Sequence, residues 1–382
     1  METFSFSIPQ NVIFGKGSLG KLPEAAKALG KNKALIISGP HLNRIGMVDK
    51  CRAALSAAGI GSGAFTETEG NPSTETVEKA VEAYKSSGAD FIVAFGGGSP
   101  LDVAKAAGIL ATYGGKITEY EGGGKVPGPV VPMIAIPTTA GTGSEVTSFS
   151  VITDHSRNYK LSVSSNYLLP VYAILDPELI ASVPAGTAAA CGVDAMVHAL
   201  EAYLSLAASP FSDMFALKAL HLIGKNLRAY AANRGNEAAA EAMMMGSLFA
   251  GIAFSHARLG DVHAMSHPVS AYFNVAHGVA NAILLPVIVE YNELADQGKY
   301  YDIYRCVAKA PLPEAMFSSH MLTEELRALN MELGIPSCLK EAGVKAEYFD
   351  AMAENAMKSG NISVNPRSTT KADVLELYKK AF

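Results

Sequence analysis

Residues 89–113 read ADFIVAFGGGSPLDVAKAAGILATY. The opening apolar run, bounded by Gly, has the length and composition of a strand buried on both faces. SPLDVAKAAGILATY then carries helix spacing. Gly97, Gly98 and Ser99 fall in the turn between the two elements. Glycines there let backbone approach a ligand closely, and a helix N-terminus adds free N–H groups and the positive end of its dipole. That combination suits a pyrophosphate, with Asp102 and Lys105 on the first turns behind it. The spacing is not G-x-G-x-x-G, and a tight turn can need glycine for geometry alone.

Reading outward from this stretch, the same alternation repeats. KALIISG (33–39) is a short apolar run ending in Gly39, and 46–58 has helix spacing. GAFTETEGNP (63–72) reads as a strand and a turn at Asn71-Pro72. Residues 73–87 follow as a helix with Ser73 as N-cap. PMIAIPTTAGTGSEVT (132–147) runs from strand into a loop whose Thr138, Thr139 and Thr142 can hydrogen-bond a phosphate, a ribose or an amide. The N-terminal METFSFSIPQNVIFGKG alternates like a further strand. Strand–helix alternation predicts a parallel sheet flanked by helices. Near Pro184 the character changes, and helix periodicity runs to the end. The expectation is an α/β domain over residues 1–184 and an all-α domain over 185–382. The Met-rich NEAAAEAMMMGSLFAGIAF fits a packed core helix better than a sulfur ligand set.

The helical part carries two clusters of metal-ligand residue types. GVDAMVHALEAY (192–203) places Asp194 and His198 four apart, on one face of a helix and one turn apart. GDVHAMSHPVSAYFNVAHGVAN (260–281) repeats that spacing with His263 and His267. Pro268 is expected to kink or end the helix, and His277 to return from a later turn. Two facing helices would bring one carboxylate and three imidazoles together, a set suited to Fe(II), Zn(II) or a similar ion rather than Ca(II). A lone D-x-x-x-H pair is otherwise commonplace. His41, His155, His221, His256 and His320 fit no ligand spacing.

Composition narrows the class. The 382 residues carry a net charge of -5, which offers no electrostatic case for nucleic acid or an anionic membrane. The four Cys are scattered without a C-x-x-C pair, as in reduced thiols of a cytoplasmic protein. The N-terminus lacks the pattern of a signal peptide, and no apolar run reads as long enough to span a bilayer.

Four motifs in order, GGGSPLDVAKA, PTTAGTGSEVT, GVDAMVHALEAY and VHAMSHP…HGVANAILLP, closely resemble the iron-containing (group III) alcohol dehydrogenases over nearly the whole chain. The resemblance implies a dinucleotide-binding α/β domain and a helical metal-binding domain. It also implies hydride transfer between a primary alcohol or diol, or its aldehyde, and NAD(P). Family metal ligands fall on Asp194, His198, His263 and His277, for Fe2+ foremost, with Zn2+, Mn2+, Ni2+ or Co2+ as alternatives. His267 falls near the substrate, as a proton relay or as a structural hydrogen-bonding residue. Cofactor positions fall on Asn71, Gly97, Gly98, Ser99, Thr138, Thr139, Thr142 and Lys160. Phe149 and Val151 would line the nicotinamide pocket and, with Phe254, the substrate pocket. In the family the first long strand often ends in an Asp that repels a 2′-phosphate. Gly39 stands there in this chain, with Ser38, His41 and Arg44 as possible donors, so use of NADP(H), alone or alongside NAD(H), is expected. Family members often form dimers or larger rings, so a homo-oligomer is expected. Glycerol dehydrogenase and dehydroquinate synthase share the fold. The latter's phosphorylated acid would need Lys and Arg that MVHALEAYLSLA and AMSHPVSAYFNVAHG lack.

Overall fold

The computed structural model of the chain describes residues 4–8 and 10–382. Residues 1–3 and 9 of the alternating N-terminal stretch lie outside the described residues. Two compact units emerge. One comprises residues 8–139 and 144–181; the other comprises residues 4–7, 140–143 and 182–382.

The first unit is α/β. Its elements are β1 (Asn11–Phe14), α1 (Leu22–Ala28), β2 (Lys33–Ile37), α2 (Pro40–Arg44), α3 (Met47–Ala57), β3 (Gly61–Phe65), α4 (Thr74–Ser87), β4 (Phe91–Gly96), α5 (Gly98–Tyr113), β5 (Gly122–Gly123), β6 (Met133–Pro137), β7 (Phe149–Asp154), β8 (Tyr159–Ser164) and β9 (Tyr172–Leu175). Six strands form one sheet in the order β1-β9-β6-β4-β2-β3, every neighbouring pair parallel. Alternate residues of each central strand face opposite ways. Leu35, Ile37, Ile92 and Ala94 join the core that includes Val77, Leu101 and Ala104 of α4 and α5. Ala34, Ile36, Phe91, Val93 and Phe95 join the core with Leu22, Val48 and Leu55 of α1 and α3. Both sheet faces are therefore dry, which is why these strands read as continuous apolar runs. Ser73 caps α4 by accepting from Thr76 N–H.

Three features depart from the sequence expectation. Only Asn11–Phe14 of the described N-terminal stretch is a strand, at the sheet edge. Pro40 opens α2 from its first turn, where its missing N–H costs nothing. Residues 149–164 form an antiparallel β7–β8 hairpin in a separate three-stranded sheet, β5-β8-β7.

A buried hub fixes the start of that hairpin. Lys105 of α5 is fully buried, and its Nζ donates to Ser144 Oγ (3.0 Å), Thr147 O (2.9 Å), Thr147 Oγ1 (3.1 Å) and Phe149 O (2.8 Å). Asp102, one turn earlier, accepts from Ser144 Oγ (2.6 Å) and Val151 N–H (3.1 Å). Burial pushes the Lys105 ammonium down to about 8, against the pull of Asp102 and Glu145. Burial likewise lifts the Glu145 carboxyl to about 7. One ammonium thus holds the loop from Ser144 to Phe149 onto α5.

The second unit is helical: α6 (Ala185–Leu204), α7 (Pro210–Ala232), α8 (Glu237–Ala257), α9 (Asp261–Phe273), α10 (His277–Asn292), α11 (Lys299–Val307), α12 (Ser319–Glu332), α13 (Phe349–Met357) and α14 (Lys371–Lys380). Residues 4–7 belong here because Phe6 stacks on Phe211 and His256 Nε2 donates to the Ser7 carbonyl. The segment 140–143, expected within the α/β domain, also belongs here, since the Gly141 carbonyl bonds a side chain of α6. Pro268 neither ends nor breaks its helix: α9 runs on to Phe273 and stops at Asn274, whose φ of 53° is left-handed. A single missing N–H costs one hydrogen bond, which burial of α9 offsets. Contrary to the reading that no run could span a bilayer, α8 is long and apolar enough to do so. Its most apolar window is 67% buried inside the protein, as in a core helix.

Replacing Lys105 by Met should cost about 3–5 kcal/mol, because four loop acceptors lose a buried cationic donor and Asp102 loses its neighbouring charge. Urea unfolding of the variant against wild type measures this; a change under about 1 kcal/mol would show that the hub is not structural.

Candidate metal centre and dinucleotide cradle

The helical unit brings Asp194, His198, His263 and His277 together. One ligand atom from each lies within 4.8 Å of every other. Asp194 Oδ1 is 3.9 Å from His198 Nε2 and 3.7 Å from Nε2 of both His263 and His277. The helices explain the convergence. α6 presents Asp194 and His198 on one face. α9 presents His263 in its first turn, and α10 begins with His277. A Cβ on Gly278 would lie 2.3 Å from the Ala190 carbonyl oxygen, so only glycine lets the start of α10 come this close to α6. His267, equivalent to His263 by spacing, is outside the set. Its ring lies 5.3 Å from that of His277.

Neighbouring groups hold the imidazoles. His198 Nδ1 donates to the Gly141 carbonyl (3.2 Å), and Phe254 stacks on the His198 ring at 4.5 Å. His263 Nδ1 donates to Glu201 Oε2 (2.5 Å). With each ring neutral, both bonds leave the Nε2 lone pair aimed at the shared point. Asn281, fully buried one turn after His277, reaches into the set: its Nδ2 lies 2.6 Å from Asp194 Oδ1, 3.1 Å from His263 Nε2 and 3.2 Å from His277 Nε2. An amide has two N–H groups and cannot answer three acceptors, and Asn281 Oδ1 is itself buried without a partner. With the imidazoles neutral, the cluster holds more lone pairs than the protein's own donors satisfy, a condition that a divalent cation meets.

Electrostatics agree with the geometry. Burial works to raise the Asp194 carboxyl, but His198, His277 and His263 overrule it and hold it far below the usual range. Burial pushes His198 down to about 4. Burial opposes the charged form of His263 too, yet Glu201 and Asp194 outweigh it and lift that group to about 9.

In the α/β unit, Gly97 is the N-cap of α5, and Gly98 and Ser99 open the helix. Thr138 N–H donates to the Gly96 carbonyl (2.9 Å), which pins the hydroxyl-rich loop to the glycine turn. A Cβ on Gly97 would lie 3.3 Å from Thr139 Oγ1, so the glycine turn and the Thr139 side chain pass close together. Asn71 and Lys160 meet, with Lys160 Nζ donating to Asn71 Oδ1 (2.7 Å). Phe149 and Val151 share one face of β7. Asp102, expected on the first turns behind the pyrophosphate as a cofactor-binding residue, is engaged in the Lys105 hub. Thr142 lies in the segment that packs with the helical unit. Ser38 is fully buried and its hydroxyl has no hydrogen-bond partner, whereas His41 and Arg44 are exposed on α2. Sequence reasoning missed Glu201 and Asn281. Each was visible as a polar residue at helical spacing from a ligand, three after His198 and four after His277.

A glycine turn at a helix N-terminus on a parallel sheet in one unit and a carboxylate–imidazole set in the other are features that a metal-dependent, dinucleotide-linked oxidoreductase needs. Comparison with known proteins agrees. The profile "Iron-containing alcohol dehydrogenase" matches residues 9–177, and "Fe-containing alcohol dehydrogenase family, C-terminal" matches residues 188–382. The chain is 38% identical to 1,3-propanediol dehydrogenase of Citrobacter freundii over 382 residues, covering 99% of each. It is 36% identical to NAD-dependent methanol dehydrogenase of Bacillus methanolicus over 379 residues, again 99% of each. A crystal structure of 1,3-propanediol oxidoreductase superposes with a TM-score of 0.95 at 37% identity, over 100% of both chains. The chain belongs to the iron-containing alcohol dehydrogenase family. It is an oxidoreductase of alcohols and aldehydes that works with a divalent metal and NAD(H).

His277→Ala should lose bound metal while reduced-nicotinamide fluorescence still reports dinucleotide binding. In wild type, metal must displace the proton His263 keeps up to about 9, whereas Asp194 is already ionised and His198 already neutral. Mn(II) affinity should therefore rise with pH, approaching tenfold per unit, and level off above about 9. A flat profile would contradict this assignment.

Proposed function

We propose that this chain interconverts short primary alcohols or diols and their aldehydes, with Asp194, His198, His263 and His277 as ligands of a divalent ion, Fe(II) foremost. The observation that carries the reading is the convergence of those four donors in a chain of this family. An ion held there supplies Lewis acidity toward the alcohol or carbonyl oxygen, while the nicotinamide supplies the hydride chemistry. An all N/O donor set also accepts Zn(II), Mn(II), Co(II) or Ni(II). Asp194 offsets part of the cation's charge in a buried place. Phe254, packed on His198, shields that ligand from water. His267, half-buried against His277, relays the alcohol proton in this reading. The protein is a homo-oligomer in the cytoplasm.

Gly97, Gly98 and Ser99 hold the pyrophosphate on the α5 N-terminus, with Thr138, Thr139, Asn71 and Lys160 around the rest of the cofactor and Phe149 and Val151 beside the nicotinamide. Thr142 completes the hydroxyl set. Gly39 admits NADP(H) as well as NAD(H). Its φ of -97° and ψ of 163° are open to any residue, so backbone conformation does not account for glycine here. A side chain is restrained only by the Thr68 carbonyl, 3.3 Å from a Cβ.

Turnover of a panel of alcohols and aldehydes with Fe(II) and each dinucleotide, followed by nicotinamide absorbance, tests both statements. Wild type should use NADP(H) measurably, and Gly39→Asp should depress kcat/KM for NADP(H) at least about tenfold more than for NAD(H), through repulsion of the 2′-phosphate. No alcohol-dependent change with any divalent metal would refute the activity. An unmoved cofactor ratio would refute the role of Gly39.

A further inference from the structure

α6 carries a third polar residue on its ligand face. Asp194, His198 and Glu201 stand at i, i+4 and i+7, so one helix stripe presents all three. Glu201 is only 5% exposed, yet each of its oxygens has a single well-placed donor. Oε1 accepts from Val262 N–H (2.7 Å), and Oε2 accepts from His263 Nδ1 (2.5 Å). Val262 N–H belongs to the first turn of α9, where backbone donors lack intrahelical partners. Glu201 therefore caps α9 and aims the imidazole that α9 carries. A Cβ on Gly260 would lie 2.9 Å from Asn365 Oδ1 and 3.0 Å from Glu201 Oε1, so glycine leaves room for both side chains at the start of α9.

We infer that Glu201 is a positioning residue of the metal centre, which fixes His263 as the Nδ1–H tautomer and supplies the second negative charge beside the site. The inference rests on the metal-ligand assignment proposed above. His198 takes its hydrogen bond from a neutral carbonyl, that of Gly141, whereas His263 takes it from a carboxylate. A carboxylate partner makes the imidazole a stronger donor toward a cation. Asp194 and Glu201 together carry two negative charges, which match a dication. The role is one of charge and direction, so shape alone does not substitute for it. Glutamine at 201 keeps the size but has one acceptor oxygen for two donors and no charge. Aspartate keeps the charge.

Metal-stripped wild type, Glu201→Gln and Glu201→Asp should be titrated with Mn(II), and their Co(II) forms compared by visible absorption. Glu201→Gln should bind about 10–100-fold more weakly and show an altered Co(II) spectrum. Glu201→Asp should retain more affinity than Glu201→Gln. Unchanged affinity in Glu201→Gln, or a milder loss there than in Glu201→Asp, would overturn the inference in favour of a purely steric role. Should neither variant fold, histidine NMR of Zn(II)-loaded wild type still decides: a strongly downfield His263 Nδ1 proton is expected, and its absence overturns the tautomer assignment. These readouts need no substrate, so a protein that binds metal without oxidising alcohols leaves the inference standing. A wild type that binds no metal refutes the ligand assignment first.

Discussion

Four lone pairs aimed at one buried point constrain this molecule more than any other feature. Asp194 Oδ1 and three imidazole nitrogens would repel or go unsatisfied where all but the partly exposed His277 are buried, and burying them without compensation would be costly. The local architecture holds that arrangement in place. α6 supplies two donors from one face, Gly278 lets α10 deliver a third, and Glu201 caps and aims the helix that delivers the fourth. Asn281 answers part of the excess of acceptors with its amide. The energetic sense of the arrangement is that a divalent cation converts a buried liability into a set of strong ionic contacts.

The α/β unit meets a different constraint with similar means. Its sheet is dry on both faces, so its ligand-facing groups must come from the ends of strands and from loops. The glycine turn after β4 supplies backbone N–H groups, and the loop after β6 supplies hydroxyls. Lys105 fixes where that second loop passes on to β7. A buried ammonium with four acceptors is an expensive anchor, but it defines one position for Phe149 and Val151 rather than several.

Much of this was legible in the sequence, for physical reasons. Apolar runs punctuated by glycine marked β2 and β4, because strands buried on both faces must be apolar throughout. The i, i+4 pairs marked faces of helices, because 3.6 residues make a turn. The β7–β8 hairpin was missed although Phe149, Val151 and Thr153 alternate with Ser150 and Ile152. The hydroxyls in that stretch blurred the contrast between faces, since Ser150 is buried by bonding the Asp102 carbonyl. Spacing placed His267 on a par with His263. The His277 ring lies 5.2 Å from one and 5.3 Å from the other, so what separates them is α6, whose Asp194 Oδ1 stands 3.7 Å from His263 Nε2. Pro268 does not end its helix, because a helix packed on its neighbours tolerates one lost hydrogen bond. Glu201 and Asn281 carry no signal as residue types and become legible only through their distance from a ligand.

X-ray absorption of the Zn(II)-loaded protein tests the central claim most directly, because it counts and identifies the atoms around the ion. The account predicts three imidazole nitrogens and at least one carboxylate oxygen at about 2.0–2.2 Å, with no sulfur. A sulfur shell near about 2.3 Å, or fewer than three imidazoles, would contradict it.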